Sequence, residues 1–151
     1  MQTLAENKKA FFDYEILEKY QAGIVLTGQE VKSIKGGRIS LAGSFVVLKD
    51  SEVFLLNADV PPYQPNNLRE EYNQKRSRKL LLQKSEINEL IGKSRQKGLT
   101  MVPLRVYNHK SKIKVEFAIV KGKRKVDKRE KIKNREADRE IERTIKGGAT
   151  A

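Results

Sequence analysis

Side chains able to do covalent chemistry are few. The chain has one histidine, His109, and no cysteine. His109 stands in "YNHKSK", a stretch of turn composition, where a solvent-facing histidine is the plain reading. Nucleophilic catalysis needs a base held beside the nucleophile, and neither a G-x-S-x-G setting nor a second histidine supplies one. No Walker phosphate loop and no zinc-ligand spacing is present. A metal-dependent nuclease needs clustered carboxylates, whereas Glu30, Asp50, Asp59, Glu70 and Glu71 are scattered. These residues point away from an enzyme, and no catalytic residue, metal or cofactor is expected.

What remains is recognition of a polyanion. The chain carries 32 Lys and Arg against 19 Asp and Glu, a net charge of +13. Such an excess steers anionic partners and gains affinity by releasing their counterions. Three stretches concentrate the relevant side chains. "GQEVKSIKGGR" places Glu30 at the start of a short helix in a basic chain. One reading is an acid favoured by the helix dipole and paired with Lys32 or Lys35. The other is a carboxylate on an RNA face, accepting from base amino or ribose hydroxyl groups. "QKRSRKLLLQK" sets Lys75, Arg76, Arg78 and Lys79 against Leu80–Leu82. It reads either as a solvated flank of a core segment or as a phosphate-binding edge. "VKGKRKVDKRE" is the densest, with six cations from Lys121 to Arg129 against Asp127 and Glu130. Fixed phosphate contact is expected there.

The elements that position these groups are mostly short strands. "SFVVLKDSEVFLLNADV" reads as a hairpin turning at Asp50-Ser51-Glu52. "LTMVPLRVYNHKSKIKVEFAIVKG" reads as a second, turning near Asn108–Ser111. Its second arm alternates: Ile113, Val115, Phe117 and Ile119 share one face. Pro103 in the first arm implies a bulge or an edge. "FFDYEIL" and "GIVLTG" also read as extended. Two helices are expected, over "QEVKSIKGG" and over "SEINELIGKSRQKG", the latter with Ser85 as N-cap and Gly98 at the C-terminal cap. "RSRKLLLQ" is compatible with helix or strand. "PPYQPNNLREEYNQ" reads as a loop. The pattern is mainly β: an OB-like closed antiparallel barrel of about six strands, with two or three short helices added.

Charge divides the chain. Residues 121–151 hold 12 Lys and Arg against 6 Asp and Glu, nearly half the net charge in a fifth of the length. The division expected is a barrel over 1–120 and a basic tail over 121–151. Apart from Ile132, Ala137, Ile141 and Ile145 the tail has almost nothing to bury, too little to offset its ordering entropy. It is expected to be disordered when free and helical on RNA. No apolar segment of signal-peptide or membrane-spanning length is present. A cytoplasmic monomer without membrane contact is expected.

Five pieces in this order resemble one family: "NKKAFFDYEI", "AGIVLTGQEVKS", "RSRKLLLQKSEI", "GLTMVPLRVY" and "KGKRKVDKRE". The chain resembles the small protein B family, the SsrA-binding (tmRNA-binding) proteins of bacterial trans-translation. The resemblance implies a non-enzymatic RNA-binding adaptor built on an OB-like barrel. It implies binding to the tRNA-like domain of tmRNA and delivery, with elongation factor Tu, to stalled ribosomes. It also implies a tail that probes the empty mRNA channel and the small-subunit decoding centre. Matching positions for RNA binding are Asn7, Lys8, Gly28, Glu30, Lys32, Ser33, Arg76, Arg78, Lys79, Lys121, Gly122 and Lys123. Matching positions in the ribosome-binding tail are Arg124, Lys125, Val126, Asp127, Lys128, Arg129, Lys131, Lys133 and Arg135. Where Val126 stands the family often has a histidine or tyrosine able to stack, and Val126 offers only an apolar contact. An OB-fold protein binding ribosomal RNA is the alternative.

Overall fold

The computed structural model describes residues 2–63 and 72–122. The tail residues Lys123 to Arg135 singled out above, Val126 among them, lie outside the described residues.

Seven strands, β1 (Gln2–Glu6), β2 (Tyr14–Ile24), β3 (Phe45–Lys49), β4 (Glu52–Leu56), β5 (Arg78–Leu81), β6 (Leu99–His109) and β7 (Lys112–Gly122), form one antiparallel sheet. Its order is β1-β6-β3-β4-β5-β2-β7, and pairing of β6 with β7 closes it. Six strands make the ring expected from the sequence, and β1 adds to β6 from Arg105 to Asn108. The closure between β3 and β6 is thin, with Val46 opposite Met101 as its paired position.

Both hairpins form where the turn chemistry places them. Asp50 and Ser51 have φ of 52° and 62°, and Lys110 and Ser111 have 50° and 67°. Positive φ at both central residues matches the right-handed twist of the flanking strands. The turns are therefore tighter than expected: Glu52 belongs to β4, and His109 is the exposed last residue of β6, opposite Lys112. Pro103 sits at a register shift between β6 and β7, the bulge its missing N–H requires.

Ile113, Val115, Phe117 and Ile119 all point into the barrel with Val53, Leu55 and Leu80. Tyr20 stacks on Phe117 at 5.6 Å between centroids. Helices α2 (Gly28–Lys35) and α3 (Lys84–Lys93) cover the core through Ile34 and Leu90, both fully buried. Each such side chain contributes about 1.5–3 kcal/mol by leaving water. The α3 helix is tied to β2 by Lys93, which bridges Glu18 and Glu89, and by the Tyr20 hydroxyl donating to Glu89 at 3.0 Å. Burial and that bond push the Tyr20 phenol up to about 12.

Three expectations need correction. "FFDYEIL" is not extended throughout: α1 (Lys8–Asp13) takes its first half. Its Ala10 packs with Val102, Leu104, Ala118 and Val120 in a second cluster outside the barrel wall, which buries Ala118 on the other face of β7. The α3 helix is capped by Gln83 rather than Ser85, because the Gln83 N–H donates to Glu86 at 3.0 Å. It also ends at Lys93, so Gly98, with φ of 85°, turns the chain into β6 instead of closing the helix. "RSRKLLLQ" resolves as a strand, β5.

Candidate nucleic-acid interface

The short α2 helix carries Gly28, Glu30, Lys32 and Ser33 and draws Arg76 and Arg78 to it. Its start is fixed by a capping box: the Glu30 N–H donates to the Thr27 hydroxyl at 3.3 Å, and the Thr27 N–H donates back to the Glu30 carboxylate at 2.9 Å. The same carboxylate, fully buried, is clamped by two guanidinium groups. Arg76 donates through Nη2 at 2.6 Å and Nε at 2.9 Å. Arg78 donates through Nε at 2.8 Å and lies 2.6 Å away at Nη2. The partner expected for Glu30, Lys32 or Lys35, is thus replaced by two arginines 46 and 48 residues away in sequence. Burial alone would raise the Glu30 carboxyl, but bonds from Arg76, the Thr27 backbone and Arg78 outweigh it and hold it below its ordinary value.

The edge drawn from Arg76, Arg78 and Lys79 divides by depth. Arg78 has no exposed side-chain surface and spends its remaining donors on the carbonyls of Ala58, Gln74 and Arg76. Arg76 is one-third exposed, and Lys79 is on the surface, paired with Glu52 at 2.6 Å. Ser33 is also buried, donating to the Pro61 carbonyl at 2.7 Å. Gly28 and Lys32 lie less deep on the same helix. Asn7 ties β1 to β6: its side-chain amide donates to the Pro103 carbonyl at 2.9 Å, and Lys8 beside it is exposed. Lys121 and Gly122 end β7, opposite Glu15 and Tyr14.

Beside α2 runs a shallow groove of about 470 Å³ that the sequence did not reveal. It is lined by the apolar Ile24, Leu26, Val31 and Leu81 together with Lys35, Lys112 and Lys114. Leu81 is 51% exposed, unusual for a leucine in a strand. The signal lay in parity: Arg78 and Leu80 face inward, so Lys79 and Leu81 face out. An undecided helix-or-strand reading of "RSRKLLLQ" could not use it. Aliphatic side chains among lysines suit a nucleotide whose base lies on the apolar surface and whose phosphates meet the ammonium groups. Among the described residues no cluster of carboxylates and histidine could hold a metal ion, and no helix is long and apolar enough to cross a membrane.

Comparison with known proteins agrees with this architecture. The SmpB protein family model matches residues 4–147. An SsrA-binding protein of Sulfurihydrogenibium sp. is 54% identical over 144 residues, covering 95% of this chain and 94% of the relative. One of Symbiobacterium thermophilum is 51% identical over 148 residues, covering 97% and 93%. A solved chain described under "tmRNA-SmpB: a journey to the center of the bacterial ribosome" superposes with a TM-score of 0.67 at 43% identity, covering 83% of this chain and 92% of that one. With the fold and nearly the whole length matched, the chain belongs to the SmpB family.

Proposed function

We propose that this chain is a tmRNA-binding adaptor of ribosome rescue. It binds the tRNA-like domain of tmRNA on the barrel face around α2 and brings it, with elongation factor Tu, to stalled ribosomes. Residues 1–123 hold the RNA, Lys121, Gly122 and Lys123 included, and the tail from Arg124 on enters the empty mRNA channel and the decoding centre. It acts by binding and not by catalysis, in the cytoplasm where ribosomes work. The single observation that carries the reading is the lysine-lined groove next to α2, in a chain of the SmpB family. Within that face Glu30, Ser33 and Arg78 act from the interior as positioning residues. Gly28, Lys32, Arg76, Lys79, Lys35, Lys112, Lys114 and Leu81 are available to the RNA.

Two measurements test this. Affinity for the tRNA-like domain should fall steeply with salt, with a log–log slope of about 0.7–0.9 per phosphate neutralised. A flat response would remove the basic face as the binding surface. Leu81→Ala should weaken binding by roughly 1 kcal/mol, the apolar surface that the exposed half of the side chain would lose to a bound base. Its melting temperature should barely move, since half of Leu81 is already in water. Equal affinity for the variant and the parent would exclude the groove.

A further inference from the structure

Tyr63 is an aromatic residue anchored at the surface. It is 44% exposed, yet four features fix it. The Tyr63 N–H donates to the Gln29 side chain at 2.9 Å. Two residues earlier the Pro61 carbonyl accepts from Ser33. Pro61 and Pro62 each lock one backbone angle. The Lys32 ammonium lies 5.7 Å from the ring centroid, within cation–π range. Gln29, Lys32 and Ser33 thus all serve the segment that carries Tyr63, and all come from the α2 motif "GQEVKS".

An exposed ring contributes little to the core, so the anchoring has another use. A fixed aromatic face beside a cation is what a single-stranded nucleotide needs: the base stacks and the phosphate meets the charge. Position supports this. Lys35, which lines the groove, is three residues from Lys32, and such residues are neighbours on a helix surface. The groove and the Tyr63 ring therefore border one strip of α2.

We propose that Tyr63 and Lys32 form a nucleotide clasp that extends the RNA site beyond the groove, with Tyr63 stacking on an unpaired base and Lys32 meeting its phosphate. The clasp rests on the tmRNA-binding reading above. The chain has no tryptophan, so Tyr63→Trp installs a lone indole fluorophore at the site. Titrated with the tRNA-like domain of tmRNA, the Tyr63→Trp variant should bind at near-parental affinity and its indole emission should be quenched. Tyr63→Phe should bind as the parent does. Tyr63→Ala should lose on the order of 10-fold in affinity, the size of one base–aromatic stack, at every salt concentration and with an unchanged salt slope. Lys32→Ala should lower the slope by about 0.7–0.9. Parental affinity for Tyr63→Ala, or unquenched emission from Tyr63→Trp, would overturn the clasp alone. A slope change in Tyr63→Ala would overturn stacking in favour of a role in placing charge. Failure of the unaltered chain to bind this RNA would overturn the adaptor reading and the clasp with it.

Discussion

Glu30→Gln should cost about 3–5 kcal/mol of folding stability, measured as a lower urea midpoint. The physical reason is what the change leaves behind. Arg78 is fully buried and bonded to the carboxylate at 2.8 Å. A neutral amide cannot balance that charge, and the guanidinium has no route to water. Arg76, one-third exposed, can turn outward and loses less. Adding Arg78→Met should recover part of the loss, because it removes the stranded charge and fills much of the same space. The cluster should also make stability depend on acid. The folded carboxyl sits below its ordinary value of 4.5, so its contribution is complete above that pH and is lost as pH falls through the folded value. Glu30→Gln should flatten that part of the pH profile. A variant with the parental midpoint would mean the buried cluster adds no net stability. RNA affinity should drop in the same variant, since the two stems of the 61–77 segment are held by Ser33, Gln29 and Glu30.

Removing residues 128–151 should leave affinity for tmRNA nearly unchanged and abolish tagging on stalled ribosomes. The segment holds 8 Lys and Arg against 5 Asp and Glu, so it contributes only a small part of the charge that steers RNA. The groove, the Tyr63 ring and the Glu30 cluster all lie before Lys121. Binding by gel shift and tagging in a reconstituted translation system separate the two functions. Loss of RNA binding on truncation would sink the division between barrel and tail. Circular dichroism of the isolated 121–151 peptide adds a check, since little helix is expected without RNA.

Much of the barrel was legible because its signals are local. The 113–119 alternation placed one face of β7 in the core, and turn residues marked both hairpins. What stayed hidden depends on contacts far apart in sequence. Phe11 and Phe12 favour strands by propensity, yet α1 forms there because Ala10 finds a cluster on β6 and β7. Glu30 looked like a surface acid because its arginine partners lie on another element. Arg78 reads as a solvated flank or a phosphate ligand because a run of cations gives no hint of depth. Leu81 looked like core because three leucines in a row hide which of them faces out.

The most direct test is recovery of the full-length chain from a bacterial lysate, followed by sequencing of the bound RNA. Enrichment of tmRNA over ribosomal RNA is the expected result. Ribosomal RNA alone, without tmRNA, would contradict it and favour an OB-fold ribosomal protein instead.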